Sequence, residues 1–237
     1  YKIATLYGAF EGEKDYAMWG YGAKVNGQQT FPPFLMGENL KDADAFIEAY
    51  DRHFSNANTT YELGERGYLK PVIQAGMYRA ITSSKRSQRY STLVILTSGE
   101  VSDVAGTIDV ICAAAEDAPL SIVIIGIGSG DMQFMDILTG QGDESGKLRY
   151  SNGVPITREV VNFVTFNEFQ GNASQCVVEA LREVPEQFVQ YFINSGVKPL
   201  PAQPVPDFTQ DDVRSQSTKS SRKSHQKKKT EKRHSPK

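Results

Sequence analysis

The sequence predicts an α/β protein built on a doubly wound, mainly parallel sheet with helices on both faces. Two nearly uncharged, β-branched runs, Thr92–Thr97 and Leu120–Ile127, flank a segment, Val104–Ala118, whose apolar residues Val104, Ile108, Ile111, Cys112 and Ala115 recur at helical steps. Strand, helix and strand in that order make a βαβ unit. Strands that are apolar on both sides must be covered on both sides, so the sheet needs helices on each face. In open sheets of this kind ligands bind outside the carboxyl ends of the strands. Those ends are Thr97–Glu100 and Gly126–Asp131, and any site is expected there.

The remaining elements follow in chain order. Ile3, Leu6, Tyr7 and Phe10 share a helical face, so residues 1–10 read as the last turns of a helix that began earlier. Tyr16–Val25 reads as one strand carrying Gly20 and Gly22, which mark a bend or a close backbone approach. Thr30–Met36 is apolar but contains Pro32 and Pro33, which donate no hydrogen bonds, so it is an edge strand or an extended loop. Ala43–Phe54 places Phe46, Ile47, Tyr50 and Phe54 at helical spacing, with Asp42 and Asp44 at the positive end of the helix dipole. Leu69–Thr82 is a second helix with Pro71 in its first turn, where proline is tolerated.

Beyond the central unit, Met132–Leu138 reads as a short helix, Gly140–Gly153 as a loop rich in Gly, Asp, Ser and Asn, and Val160–Phe166 as the last strand. Ala173–Ser195 is a long amphipathic helix. Pro185 inside it implies either a kink or two helices meeting there, and Gly196 fits a C-cap. From Pro199 the composition changes to a proline-rich linker, and past Asp212 to Ser, Lys, Arg and Gln with almost nothing apolar. The expected organisation is a domain over 1–198, a linker over 199–213 and a basic, disordered tail over 214–237.

Composition sets outer bounds on function. A chain of 237 residues that is 39% hydrophobic can bury one sizeable core. The net charge of −2 hides an asymmetry: residues 214–237 hold ten Lys or Arg against Glu231, a balance of +9, which leaves −11 on the rest. Cys112 and Cys176 each fall inside a helical segment among apolar neighbours, which fits two core thiols in a reducing compartment rather than a disulfide or a zinc site. No apolar run approaches the ~20 residues of a membrane helix. The first residues do not form a signal peptide, and a start without Met inside a helical pattern reads as a piece of a longer protein.

Other chemistry-bearing patterns are better explained without chemistry. Gly126, Gly128 and Gly130 lack the spacing of a dinucleotide fingerprint, and Asp131 would face the phosphate, so a tight strand exit is expected. His53 sits beside Asp51 and Arg52 on a helix with no nucleophile motif, and is expected to be an exposed surface residue. Asn58 and Asn172 begin glycosylation sequons that lack a secretory signal. Lys219, Arg222, Lys223, Lys227, Lys228, Lys229, Lys232 and Arg233 would attract an anionic membrane surface. No aromatic residue is interleaved among them for base stacking, so no specific nucleic acid is expected as a partner.

The run from Leu93 to Gly128 resembles the von Willebrand factor A domain of the copines, whose strand ending Leu-Thr-Asp-Gly precedes a helix and a Pro-Leu/Met-Ser-Ile-Ile strand. Matching pieces are Trp19-Gly-Tyr-Gly-Ala-Lys24, Ile47-Glu-Ala-Tyr50, Val161-Asn-Phe-Val-Thr-Phe166, Glu183-Val-Pro-Glu-Gln-Phe188 and Gly196-Val-Lys-Pro199, which together span roughly residues 1–200. The resemblance implies a metal-ion-dependent adhesion site, in which hydroxyls and a carboxylate from three loops hold Mg²⁺ or a similar cation in an oxygen octahedron. It also implies a first strand, ending in Asp-x-Thr-x-Ser, that lies outside this sequence. The second-loop Thr aligns near Arg66-Gly67-Tyr68, and the third-loop Asp aligns with Ser98; Glu100 or Asp103 would serve only if the loop moved. With those ligands lost, no residue is assigned to a metal, a cofactor or catalysis, and Mg²⁺ or Mn²⁺ is not expected to bind.

By the same resemblance the chain is a non-enzymatic interaction module that binds intracellular proteins. Two upstream C2 domains would supply calcium-dependent phospholipid binding and bring a cytoplasmic protein to the plasma membrane. Two rivals remain. One is a tether working through the basic tail on membrane or nucleic acid. The other is an A domain related to copine-like ubiquitin ligases, without the cysteines of a RING after it.

Overall fold

The computed structural model describes residues 16–25, 28–29, 32–54, 61–64, 67–85, 88–99, 101–140, 146–198 and 200. The elements all lie within the unit Tyr1–Lys198. The helix expected over residues 1–10, the tail and all of the linker except Leu200 lie outside the described residues.

In chain order the elements are β1 (Tyr16–Gly20), β2 (Ala23–Val25), β3 (Gln28–Gln29), β4 (Phe34–Leu40), α1 (Ala43–Phe54), β5 (Tyr61–Leu63), α2 (Lys70–Ser84) and β6 (Ser91–Thr97). They continue with α3 (Val104–Asp117), β7 (Leu120–Gly126), α4 (Gln133–Leu138), β8 (Val161–Thr165), a 3₁₀ turn (Phe166–Phe169), α5 (Ala173–Leu181) and α6 (Val184–Asn194). Strands β6, β7 and β8 form a parallel sheet in that order, with Ser91 opposite Leu120 and Ile122 opposite Val161. Strand β1 pairs antiparallel with β4, and β2 pairs antiparallel with β3 and β5.

Strand β7 is buried along its whole length, as a run apolar on both sides requires. Its side chains alternate between two cores. Leu120, Ile122 and Ile124 join Ile73, Ile95, Ile111 and Met135 beneath α2, α3 and α4. Val123 and Ile125 join Val164, Cys176 and Ala180 beneath α5. Helices therefore cover both faces, and the α/β, doubly wound reading holds. Cys112 and Cys176 are buried free thiols in these separate cores. Burial, with Asp109 and Glu116 nearby, pushes the Cys112 thiol up to about 11; burial also raises Cys176.

Three expectations are corrected. Tyr16–Val25 is two strands, because the chain turns at Gly22, whose φ of 71° suits glycine. Gly20 ends β1 where a Cβ would collide with the Phe34 ring. The apolar segment after the prolines is a strand that begins at Phe34 and runs on to Leu40, past both proline rings. Strand β6 is covered fully on one side only: Ile95 is buried, whereas Leu96, which points to the other core, is 49% exposed. Helix α5 packs chiefly on β7 and β8 and α6 on β7, so on that face Val94 of β6 is covered by the Cys176–Ala180 core only in part.

The Ala173–Ser195 segment is two helices, broken at Arg182–Glu183. Pro185 has no N–H for the carbonyl four residues before it, so a single helix does not run through unbroken. Asn162 of β8 holds the last turn of α5 by donating Nδ2 to the carbonyls of Glu179 and Ala180 at 3.0 and 2.9 Å. Gly196, at φ 64°, closes α6 in a Schellman arrangement, with Val197 N donating to Phe192 O and Gly196 N to Ile193 O.

At the amino ends of the parallel strands Arg158, 3% exposed, holds the carboxyl end of α3. Its guanidinium donates to the carbonyls of Ala114, Ala115 and Ala118 around that helix end, and to those of Leu120 and Gln187. Tyr191 lies 5.2 Å from it in a cation–π contact. Arg158→Met removes the charge-assisted hydrogen bonds that this buried guanidinium gives to five carbonyls, each worth about 1.5–3 kcal/mol. Urea unfolding is expected to show a loss of at least about 3 kcal/mol. Arg158→Lys recovers little of it, because an ammonium has three donors and no planar fork.

Candidate functional site

The carboxyl edge of the parallel sheet gathers four loops, and glycine lets them touch. Gly99, with φ 123°, lies where a Cβ would strike the Asp131 carbonyl. A Cβ on Gly130 would strike the Ser98 carbonyl in turn. The exits of β6 and β7 are therefore in backbone contact, and the glycine run is a close approach between loops rather than a phosphate cradle. Asn167, in the 3₁₀ turn after β8, donates Nδ2 to the Gly128 carbonyl at 2.7 Å and adds the third exit.

The fourth loop, ahead of α2, is joined by Asp103. Its Oδ1 accepts from Leu69 N and its Oδ2 from Lys70 N, both at 3.0 Å, so a carboxylate from the β6–α3 loop caps the amino end of α2. Thr107 Oγ1 adds a third donor at 3.1 Å. Next to it, Ser102 N donates to the Gly67 carbonyl at 2.9 Å. The local sequence places Asp103 at the start of its own helix; its reach across 34 residues to α2 is set by tertiary packing and leaves no pattern in the chain.

The donor set does not fit a divalent cation. Ser98, at the position of the third-loop carboxylate, is exposed and neutral. Gly67 offers no side chain, and its carbonyl is already taken. Both oxygens of Asp103 hold backbone amides, so turning one toward a cation would uncap α2. Among the described residues no group of three or more His, Cys, Asp or Glu is placed to hold a metal. Glu100 and Arg66 lie outside the described residues.

What the edge presents instead is a surface. Ser98, Gly128, Ser129, Gly130 and Asp131 are exposed, with Ile127 39% and Phe134 41% exposed beside them. Asp131 accepts from Gln133 N at 2.9 Å, which turns the loop into the short α4. His53 lies away from this edge in the last turn of α1; it is half-buried rather than exposed, with Nδ1 2.9 Å from the Ala49 carbonyl. Asn172 caps α5 by accepting from Gln175 N at 3.2 Å. The sequon at Asn58 lies outside the described residues.

The doubly wound sheet agrees with the family comparison. A family model described as Copine matches residues 1–200. The chain belongs to the copine family. It is 28% identical over 203 residues to Copine-B and 33% identical over 201 residues to Copine-D, both of Dictyostelium discoideum, matches that cover 84% and 83% of this chain. It is also 29% identical over 194 residues to Protein BONZAI 1 of Arabidopsis thaliana, across 81% of the chain. The matches take in 37%, 37% and 33% of those proteins, so the chain spans about a third of the length of these copine relatives. The copine domain is of the von Willebrand factor A type, which accounts for the parallel sheet and its two helical layers.

The clamp is open to a direct test. Asp103→Ala is expected to lower the urea-unfolding free energy by about 1–2 kcal/mol, the cost of a lost cap and its orphaned amides. Ser98→Ala, on an exposed side chain, is expected to change it by less than about 0.5 kcal/mol. Equal effects from the two would remove the structural role given to Asp103.

Proposed function

We propose that this chain is a non-enzymatic protein-interaction module of a copine-type adaptor. The observation that supports the reading is the carboxyl edge itself. Four loops are fixed to one another by Gly99, Gly130, Asn167 and Asp103, and they expose hydroxyls, backbone, two apolar side chains and the Asp131 carboxylate, which already accepts from Gln133 N, where a cation cage would need free carboxylates. A rigid, mixed polar and apolar patch suits recognition of a protein surface, since little conformational entropy is lost when it is covered.

In this proposal the protein is cytoplasmic and moves to the plasma membrane when calcium rises. C2 domains upstream of this region would make the lipid contacts, and the present module would choose the protein that travels with them. A second reading is favoured by one observation, the +9 balance of residues 214–237: the tail adds a sequence-independent attraction to anionic membrane. Salt separates the two, because phosphate contacts by the tail weaken steeply with ionic strength and contacts at the loop edge do not.

The test is a photo-activated cross-linking residue placed at Ser129 in the full chain expressed in cells, compared with one at Tyr78 on α2, which is 75% exposed. A discrete protein adduct is expected from Ser129 and not from Tyr78. Sedimentation with phosphatidylserine vesicles is expected to be the same with calcium as with chelator for this chain alone. Adducts of equal yield at both positions, or calcium-dependent sedimentation of this chain alone, would contradict the proposal.

A further inference from the structure

Helix α2 ties the antiparallel strands to the parallel ones. It packs on β6 from the side of Ile73 and Ile95, and its Arg79 lies 3.8 Å from Glu38 of β4. Gly37, the neighbour of Glu38, points the other way along the strand. A Cβ on it would meet Ala49 of α1 at 3.2 Å. Helix α1 therefore stands across β4 from α2, as α5 and α6 stand across β7 from it. Tyr21, directly after β1, donates Oη to the Leu96 carbonyl of β6 at 3.2 Å. The β1 side of the antiparallel pair is thus the side that faces β6.

The layer that holds α1, α5 and α6 has an apolar gap between α1 and α5 among the described residues. Its floor is β6, where Leu96 is 49% exposed and Val94 is covered only in part. Its wall is α1. Phe46 lies against Tyr16 of β1, with ring centroids 5.7 Å apart, so this stripe of α1 looks toward β1 and β6. Tyr50 and Phe54 continue the stripe at four-residue steps, their rings 4.7 Å apart, and are 54% and 47% exposed. An apolar strand face in the middle of a helical layer calls for a helix to cover it.

We infer that this gap is the seat of residues 1–10, docked as an amphipathic helix. Ile3, Leu6, Tyr7 and Phe10 recur at i, i+3, i+4 and i+7, the stripe needed to face Val94 and Leu96 on one side and Tyr50 and Phe54 on the other. Ten helical residues span about 15 Å, and Val94 to Leu96 spans about 7 Å, so the segment covers the open part of β6. The polar run Glu11–Asp15 is the connection to Tyr16 at the start of β1 and can reach about 17 Å. A tether this short gives the segment a millimolar effective concentration at the gap, an advantage that no separate molecule shares. The seat lies on a face of the sheet rather than at its loop edge, so it stands or falls independently of the function proposed above.

The experiment is proximity cross-linking in the full chain. Leu6→Cys is combined with Leu96→Cys and, in a second protein, with Tyr78→Cys on α2, and each is treated with a short bismaleimide. Cys112 and Cys176 are buried and do not compete. A link within one chain is expected from position 6 to position 96 and not to position 78. Maleimide labelling of Leu96→Cys alone is expected to quicken about fivefold or more when Leu6→Asp and Phe10→Asp are added. Thr5→Asp, on the opposite side of the helical stripe, is expected to change the rate less than about twofold. Circular dichroism checks that each variant is folded. No link within the chain from 6 to 96, equal links to 96 and 78, or labelling indifferent to the two aspartates would overturn the inference. A 6-to-96 link found only between two chains would also overturn it, and would give the seat to a second copy.

Discussion

Burial of one strand on both sides constrains the rest of the molecule. Leu120–Gly126 has no polar face, so it can exist in water only with a helical layer on each side and a strand on each edge. The consequences run outward. β6 and β8 flank it in parallel; α2, α3 and α4 close one core, and α5 closes the other. Parallel strands place all their carboxyl ends together, and the loops that meet there form the candidate site. Their amino ends are also gathered, which is why one arginine can serve α3, β7 and α6 at once.

The two ends of the sheet solve a similar problem with opposite charges. At the carboxyl edge an anion, Asp103, satisfies amides at the start of α2. At the amino edge a cation, Arg158, satisfies carbonyls at the end of α3. Each lies at a helix end whose partial charge it opposes, so the dipole favours both. A carboxylate engaged in this way is not free for a metal, and the structural role of Asp103 therefore bears directly on function.

Much of the fold was legible because it rests on local patterns. The periodicities of Thr92–Thr97, Val104–Ala118 and Leu120–Ile127 set the βαβ unit, and Pro185 marked the break between α5 and α6. What was not legible depends on distant partners. Gly20, Gly22, Gly99 and Gly130 announce special geometry without saying whether it is a turn or a close approach, or to what, and β1 and β2 read as one strand for that reason. The half-covered face of β6 could not be read from its composition, because coverage belongs to the helices that reach it. At the candidate site, Ser98 and Gly67 were visible as departures from a metal-binding pattern. The commitment of Asp103 to α2, the support from Asn167 and the bonds from Arg158 to Leu120 and Gln187 appear only once the chain is folded.

The central claim is that the carboxyl edge is held together by its own hydrogen bonds rather than by a divalent cation. The most direct test is the melting temperature of the full chain, first treated with chelator and then titrated with Mg²⁺ and with Mn²⁺ into the low millimolar range. A cation that binds only the folded state must raise it in a saturable way. The account predicts no change with either ion. A saturable rise that is lost in Ser98→Ala would show that this edge still holds a metal and would contradict it.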